Sequence, residues 1–303
     1  MQLSLKKNFK EFDEKGFVLI STLGIMIILS VMAAAFSLES RIEAKISSRQ
    51  KNDIIAFYIA RAGIHRNAAI VRSYFGEQGN GPSSKWWKDT ENYREIKFQD
   101  MVYSIFNPGL TGQPVYGLDD EESRLNINIA SPEMLMELTG ITSSLAEEIV
   151  LYRTKKLEND QVTQDSDNMI SGPITDIKEL LNIRGLTPEI LYGNPDDPYS
   201  PIRNLTCYSS GKININSARQ GTLLCLGFAP DQVDRILVYR KLQNPPETSL
   251  EQFFDKLGFD INRFKKTLNL MTVKSCNFRM ICSARRPEKK KPAVTISARL
   301  SIL

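Results

Sequence analysis

The chain has 303 residues, 42% of them hydrophobic and 24% charged, and its 39 basic residues outnumber its 35 acidic residues by four. Residues 285–291 alone carry an excess of four positive charges. This segment is either a solvated loop or a contact for an acidic partner. The single histidine, His65, excludes a histidine-dependent triad or zinc site elsewhere in the chain. No phosphate-binding glycine loop is present in the sequence, and we expect no enzymatic activity.

The first predicted element is a membrane-inserting helix. Gly16 is followed by 22 uncharged residues, 17–38, which as a helix would span roughly 33 Å and cross the hydrocarbon of a bilayer. Lysines that flank a first span favour a cytoplasmic location for that end, and four precede this one: Lys6, Lys7, Lys10 and Lys15. We therefore expect the residues after Leu38 to be exported.

The helical pattern continues beyond the apolar segment. No proline occurs between Phe17 and Phe75, and an apolar stripe that includes Ile54, Tyr58 and Ala62 repeats at intervals of four among charged residues. The sequence predicts one helix over residues 17–75. Two other interpretations stay open: a secretory signal cut at the small residues 33–35, and an ordinary single-pass anchor with a charged stalk.

This N-terminus resembles that of the type IV prepilin family, which includes the pseudopilins of type II secretion. The shared features are a short polar leader that ends in lysine and glycine, an aromatic residue and an uncharged span. The resemblance implies that a prepilin peptidase cuts between Gly16 and Phe17 and leaves Phe17 as a candidate for N-methylation. Most family members have glutamate at the fifth mature position, where this chain has Ser21. The type II minor pseudopilin K lacks that glutamate, as expected of a tip subunit with no neighbouring amine to pair with a carboxylate in the membrane.

An internal repeat follows in the exported part. Residues 125–130 read Leu-Asn-Ile-Asn-Ile-Ala, residues 213–218 read Ile-Asn-Ile-Asn-Ser-Ala, and the match continues for about 28 residues. Each copy extends to a tyrosine–arginine pair and is followed by a further fragment with its own glycine, Gly185 or Gly258. The sequence predicts duplicated helical hairpins.

The local chemistry of each copy is typical of a turn between two helices. The segment Ser131-Pro132-Glu133 is a predicted helix start, and Gly140 and Gly227 are predicted to end first helices in a left-handed conformation. The asparagines of the two openings are predicted turn and cap residues: Asn126, Asn128, Asn214 and Asn216.

These units resemble helix-hairpin-helix modules, and the Asn-Ile-Asn-x-Ala opening resembles that of ComEA-like competence DNA receptors. The resemblance raises an alternative function, a membrane-anchored receptor that binds duplex DNA for uptake. DNA-binding hairpins usually read apolar-Gly-apolar-Gly, so that backbone N–H groups reach a phosphate. The second glycine is replaced in all four hairpins, by Thr142, Thr187, Ala229 and Asp260. We therefore expect the hairpins to be packing units and expect no nucleic-acid binding.

The prepilin-like start and the degenerate hairpins together resemble the type II secretion minor pseudopilin K family (the GspK family) over nearly the whole chain. The resemblance implies an α+β fold with a long transmembrane and amphipathic N-terminal helix, a pilin-like antiparallel sheet and a large inserted helical domain. It implies a single-pass protein of the bacterial inner membrane, with the leader in the cytoplasm and the C-terminal domain in the periplasm. The implied role is at the pseudopilus tip, initiating assembly and supporting export of folded proteins across the outer membrane. The implied partners are minor pseudopilins of the I, J and H classes and the prepilin peptidase.

The remaining elements complete the expected division of the chain. Residues 97–106 alternate as one strand would, and residues 277–283 and 293–300 alternate as a C-terminal hairpin. The predicted segments are a leader (1–16), the N-terminal helix (17–75), a first part of the pilin-like body (76–124), a first hairpin region (125–210), a second hairpin region (211–272) and the C-terminal strands of the body (273–303).

Two polar segments, 76–84 and 156–173, are predicted loops. The second contains Asp165 and Asp167, oxygen donors of the type that bind calcium, and members of the resembled family hold calcium in their helical region. We keep these two aspartates as calcium candidates and expect no other cofactor. The four cysteines would face an oxidising compartment, with Cys225 expected in the core and the pairing of Cys207 left open.

Overall fold

The computed structural model describes residues 2–74, 90–108, 114–158, 173–194, 196–242 and 247–302. It contains two compact units, Met1–Ile55 and Ala56–Leu303. The fold is the expected α+β class, with a long apolar N-terminal helix, an antiparallel sheet and helical hairpins between the strands of that sheet.

The helices and strands are numbered in chain order. The helices are α1 (Gln2–Tyr74), α2 (Thr90–Tyr93), α3 (Pro132–Met136), α4 (Ser143–Glu158), α5 (Pro188–Tyr192), α6 (Pro201–Asn204), α7 (Gln220–Cys225), α8 (Pro230–Leu242) and α9 (Leu250–Leu257). The strands are β1 (Ile96–Phe98), β2 (Met101–Pro108), β3 (Pro114–Tyr116), β4 (Asp119–Asp120), β5 (Leu125–Asn126), β6 (Leu205–Thr206), β7 (Ile213–Asn214), β8 (Met271–Thr272), β9 (Asn277–Arg285) and β10 (Val294–Ser301). Short 3-10 helices lie at Glu121–Ser123, Ile177–Asn182, Ile261–Phe264 and Leu268–Leu270.

Helix α1 exposes an apolar surface in the first unit. Large hydrophobic side chains between Phe17 and Leu38 are more than half exposed, and Phe17 and Phe36 are each 73% exposed. Among the described residues, α1 is the helix whose length and composition suit a membrane crossing. An apolar surface of this extent requires lipid or another protein to cover it.

The second unit buries a different face of α1 from the apolar stripe in the sequence. Ile54 and Tyr58 of that stripe are exposed, whereas Ala56, Ala60 and Gly63 lie in the core of the body. A Cβ added at Gly63 would stand 2.7 Å from the ring of Tyr103 on β2. The buried face thus combines small residues, which allow the close approach of the sheet at Gly63, with larger apolar residues such as Ile59 and Val71.

The sheet of the body has the order β1-β2-β9-β10, with β3 beside β2 and β4 beside β9. The predicted C-terminal hairpin is confirmed: β9 and β10 pair antiparallel from Val294 opposite Ala284 to Ser301 opposite Asn277. The single predicted strand over residues 97–106 is wrong. A turn at Gln99, which has a φ of 51°, divides this segment into the antiparallel pair β1 and β2. The turn places Phe98 opposite Met101 and so shifts the alternation of side chains by one residue, and its signal in the sequence is the adjacent polar pair Gln99 and Asp100.

The helical hairpins form a second core. Each repeat copy opens with a short strand that pairs in parallel with a strand at its end, β5 with β6 and β7 with β8. The predicted left-handed conformation is confirmed at Gly140 and Gly227, which have φ values of 80° and 92°. Gly227 directly follows the C-cap residue of α7, whereas α3 is already capped at Glu137, before Gly140. Buried residues of both copies, including Leu135, Ile149 and Ile236, belong to one hydrophobic cluster. The two copies are therefore halves of one packed domain.

Candidate functional site: the N-terminal helix and the joint of the repeat domain

Gly16 and Phe17 lie within α1, where the exposed apolar surface begins. No atom of the described chain outside the local helix backbone comes within 4 Å of the position that a Cβ would take at Gly16. Phe17 is 73% exposed, and Ser21 follows one turn later within the uncharged residues 17–38 of the helix. The predicted cleavage site is thus flanked by an apolar surface on its C-terminal side and by the lysine-bearing leader on the other.

The calcium candidates Asp165 and Asp167 lie outside the described residues. Within the described ranges no cluster of three or more histidine, cysteine, aspartate or glutamate side chains is arranged to hold a metal ion. All four cysteines are free thiols, and Cys225 is buried in the repeat core as predicted. Burial raises the pKa of the Cys225 and Cys282 thiols to about 12, which leaves both uncharged at neutral pH.

The first asparagine of each repeat opening makes the predicted turn. The Oδ1 atom of Asn126 accepts a hydrogen bond from the backbone N–H of Asn128 at 2.9 Å. In the second copy the Oδ1 atom of Asn214 accepts from the backbone N–H of Asn216 at the same distance. Both copies therefore begin with the same local turn.

The second asparagine of each opening is not a local cap. Asn128 exchanges two hydrogen bonds with the peptide groups of Ile174, donating from Nδ2 at 2.9 Å and accepting at Oδ1 at 2.8 Å. Asn216 donates from Nδ2 to the carbonyls of Glu247 and Val273 and accepts from the N–H of Glu247. These two side chains therefore replace missing backbone partners of segments far along the chain.

The arginine at the end of each repeat copy ties the second helix to the opening. Arg153 donates to the carbonyl of Ile127 at 2.6 Å. Arg240 donates to the carbonyl of Ala218 at 2.6 Å and also to that of Ile215. Burial lowers the pKa of Arg240 to about 9, so it stays charged at neutral pH. Both guanidinium groups are thus used inside the domain.

The hairpin turns occupy the backbone donors that a phosphate would need. Thr142 Oγ1 accepts from the N–H of Leu145 at 3.3 Å, and Asp260 Oδ1 accepts from the N–H of Asn262 at 2.9 Å. The N–H of Ala229 is bonded to the side chain of Gln232. Side chains therefore compete with a phosphate for these N–H groups in three of the four hairpins, which disfavours the DNA-receptor alternative.

Four consecutive carboxylates, residues 119–122, form a buried joint between the body and both repeat copies. Asp119 receives hydrogen bonds from Arg124, from Arg219 at 3.1 Å and from Arg279 of β9 at 3.2 Å. Arg219 belongs to the second copy, at the N-terminus of α7. This carboxylate therefore connects the sheet to the second copy.

The other three carboxylates bind different parts of the unit. Glu121 accepts from Arg124 at 2.8 Å and from Thr206 of the first copy at 2.6 Å. Asp120 accepts from the hydroxyls of Ser217 and Ser275. The remaining bonds are made by Glu122, which accepts from the N–H groups of Ser210, Cys276 and Asn277 and from the Asn277 side chain. The first copy, the second copy and the body therefore meet at one polar centre, which we call the acidic joint (residues 119–122).

The pKa values of the two aspartates of the acidic joint are shifted in opposite directions. Burial acts to raise the pKa of Asp119, but Arg124, Arg219 and Arg279 outweigh it and hold that pKa well below its usual range. Burial and the neighbouring charge of Glu122 raise the pKa of Asp120 well above its usual range. The joint thus contains one carboxyl that favours its charged form and one that disfavours it.

These shifts predict opposite pH dependences for Asp119→Asn and Asp120→Asn. Asp119 has a depressed folded-state pKa, so its stabilising contribution is present above its unfolded pKa and is lost as the pH falls below about 4. The loss of unfolding free energy caused by Asp119→Asn should therefore shrink on acidification. Asp120 has a raised folded-state pKa, so the wild type should gain stability relative to Asp120→Asn as the pH falls. Urea denaturation between pH 3 and pH 8 measures both differences, and parallel pH profiles for the two variants would contradict this assignment.

The acidic joint could not be identified from the sequence by the usual signals. A run of four carboxylates normally marks a solvated surface, and the partners of Asp120 and Asp119 lie up to 160 residues further along the chain. The one signal in the sequence is the position of the four carboxylates. They directly follow the apolar Leu118, and Arg124 separates them from the buried strand β5. A charged run between two core segments can be a buried network of this kind.

Comparisons with known proteins match parts of the chain. The family model of the helix-hairpin-helix motif matches residues 120–163, which include the acidic joint from Asp120 and the first hairpin. A curated relative from Xenopus laevis, endonuclease/exonuclease/phosphatase family domain-containing protein 1, is 32% identical over 76 residues, which is 25% of this chain and 11% of that protein. The chain thus spans about a tenth of the length of that relative.

A solved structure matches much more of the fold. It is a chain of the GspK–GspI–GspJ complex from the type 2 secretion system of enterotoxigenic Escherichia coli, with a TM-score of 0.53 and 13% sequence identity. The match covers 83% of this chain and 97% of that chain. At this identity the match shows a pseudopilin-like fold, which agrees with the expected sheet and helical insertion.

Proposed function

We propose that this chain is a minor pseudopilin of the K class in a bacterial type II secretion system. Two observations together carry the proposal: a long exposed apolar helix, and a fold that covers 97% of a chain from the GspK–GspI–GspJ complex. In this role the chain has a structural function in an assembly and performs no catalysis.

In the proposed topology, α1 anchors the protein in the inner membrane. The leader lies in the cytoplasm and the unit from Ala56 onward in the periplasm, in agreement with the lysines before Gly16. Prepilin peptidase removes residues 1–16, and Phe17 becomes the methylated N-terminus. Calcium binding at Asp165 and Asp167 stays a separate prediction, which calorimetry on the purified protein tests.

The proposed position is the tip of the pseudopilus. The exposed side chains of α1 after the membrane segment, including Ile42, Ile46 and Phe57, offer a surface for the helices of the I, J and H class pseudopilins. The repeat domain is bulky and would block addition of another subunit above it. Ser21 supports the same position, because it leaves no carboxylate that would need the amine of such a subunit.

We expect the protein extracted from membranes to begin at Phe17. Intact-mass and N-terminal peptide mass spectrometry should find this start, with one methyl group on the amine, and Gly16→Leu should leave the leader attached because the peptidase cuts after glycine. Ser21→Ala is the matched control, which should be processed normally. A start near residues 34–36 would show a removable secretory signal and overturn the proposed anchor.

A further inference from the structure

Strand β10 is an open edge of the sheet in the body. It is eight residues long, and among the described residues its one strand partner is β9. The opposite edge of the sheet is formed by β1 and β3, which have three residues each. Long open edges bind other strands unless the protein protects them. Of the two edges, β10 is therefore the one expected to bind another strand.

The hydrogen-bond register determines which backbone groups of β10 are available. The N–H of Ile302 donates to the carbonyl of Cys276 at 2.8 Å, and Leu300 stands opposite Phe278 two residues earlier. Because antiparallel pairs alternate between bonded and non-bonded positions, the intervening odd-numbered residues direct their N–H and C=O groups away from β9. These residues are Thr295, Ser297, Arg299 and Ser301, and their side chains are also exposed.

Within the strand itself, β10 lacks the residues that usually protect an edge. The strand contains no proline, no lysine and no carboxylate. Its one charged residue, Arg299, lies over the ring of Tyr208 in the helical domain, 3.1 Å from the ring centroid. The side chain that would most readily repel an incoming strand is therefore held by a contact within the molecule.

A cationic loop (residues 286–291) leads into the open edge, and its shape is fixed from within. Arg285 Nη1 donates to the carbonyls of Pro287 at 3.1 Å and Lys289 at 2.9 Å, while its Nη2 pairs with Glu95. Four cations and one carboxylate are exposed on this loop: Arg286, Glu288, Lys289, Lys290 and Lys291. Such an ordered cationic group attracts carboxylates with little further loss of conformational freedom.

The charge of the loop selects among three occupants of the edge. A second copy is disfavoured, because residues 289–302 contain no acidic side chain to place against the loop of its neighbour. A lipid surface would neutralise the lysines but would leave the outward peptide groups of β10 without partners. An extended protein segment with carboxylates would pair with the cations of the loop and also with the outward peptide groups of β10. If it lies antiparallel to β10, its C-terminal end meets the loop.

We propose that β10 and the cationic loop form a strand-addition site for an extended segment of a partner protein whose C-terminal flank is acidic. The segment pairs with the outward backbone groups of residues 295–301 and places its carboxylates on the loop. This inference goes beyond the proposed role of the chain as a pseudopilin and does not depend on α1.

The test measures peptide binding to the full chain in detergent micelles. The probe is a fluorescein-labelled peptide, Thr-Val-Thr-Val-Thr-Val followed by four glutamates, compared with the same peptide ending in four lysines. Fluorescence anisotropy should show at least about tenfold tighter binding of the acidic peptide at low salt, declining as salt is raised. Hydrogen exchange should show new protection at the amides of Thr295, Ser297, Arg299 and Ser301, since each gains a partner.

Two variants separate the edge from the loop. Ser297→Pro removes one outward N–H without removing a bond to β9. It should lower the affinity of the chain for the acidic peptide by about tenfold or more. Replacing Lys289, Lys290 and Lys291 by serine should abolish the salt dependence, whereas the same change at the exposed Lys212, Lys265 and Lys266 should not. If Ser297→Pro does not fold, the exchange pattern of the wild-type chain still decides the question.

Three results would overturn the proposal. The first is peptide binding without protection of the β10 amides, which would assign binding to the loop alone. The second is equal affinity for phosphatidylglycerol vesicles that is unaffected by Ser297→Pro, which would assign the loop to lipid. The third is self-association detected by sedimentation and lost in Ser297→Pro, which would make the occupant a second copy.

Discussion

Replacing Arg124 by methionine should lower the free energy of unfolding of the unit that begins at Ala56 by about 3 to 5 kcal/mol. Arg124 is 4% exposed and pairs with Asp119 and with Glu121, which is itself 2% exposed. Methionine fills a similar volume but leaves two buried carboxylates with fewer cations around them. Urea denaturation followed by far-ultraviolet circular dichroism measures the change as a shift of the midpoint at constant slope.

The matched control for this prediction is Arg279→Met, because Arg279 contacts the same carboxylate of Asp119. Its side chain is 32% exposed, so solvent screens the pair and the expected loss is about 1 kcal/mol. Equal losses for the two variants would show that the joint is hydrated and not a closed ionic centre. A loss confined to Arg124 supports a joint in which burial sets the energy of each pair.

The second large effect is expected for Asn216→Asp, which should lower the free energy of unfolding by about 3 kcal/mol. Asn216 is 7% exposed, and its Nδ2 group donates to two carbonyls, those of Glu247 and Val273. Aspartate has nearly the same shape but cannot donate from that atom, so it leaves both carbonyls without this donor and adds a buried negative charge. Urea denaturation at pH 7 measures the loss, and hydrogen exchange at the amide of Glu247 reports the local opening.

The equivalent change in the first repeat copy provides the control. Asn128→Asp removes a single donated bond, to the carbonyl of Ile174, and Asn128 is half-buried. We expect about half the loss seen for Asn216→Asp, because one carbonyl rather than two is affected. A larger loss at Asn128 would contradict the idea that the number of distant peptide groups determines the effect.

Local periodicity and turn chemistry predicted much of the fold. The long α1, the duplicated hairpins with Gly140 and Gly227 in left-handed conformations and the C-terminal pair of strands all follow from patterns within about 20 residues. The turn at Gln99 leaves a weaker signal, two adjacent polar residues, Gln99 and Asp100, across which the alternation of side chains shifts by one residue.

Features that depend on distant contacts could not be predicted in this way. The buried face of α1 is selected by how closely the sheet approaches Gly63, which is not encoded in the helix alone. Asn128 and Asn216 have the composition of caps, and only the folded chain shows that their partners are Ile174 and Glu247. The assignment of Gly16 and Phe17 as the cleavage site comes from a family pattern in the sequence. The fold does not test it, so their processing stays a prediction.

The acidic joint also determines when the unit can finish folding. Asp119 and its partner Arg279 are 160 residues apart in sequence, and Asp120 and Ser275 are 155 residues apart. Contacts of such separation form late, because the intervening chain must be present and ordered first. A chain emerging from its N-terminus can pair Asp119 and Glu121 with Arg124 early, but the bonds that tie the joint to the sheet, from Ser275, Asn277 and Arg279, wait for about the last thirty residues. Truncation shortly before Arg279 would remove most of β9 and all of β10 and leave both repeat copies complete beside an incomplete sheet, a state open to proteolysis.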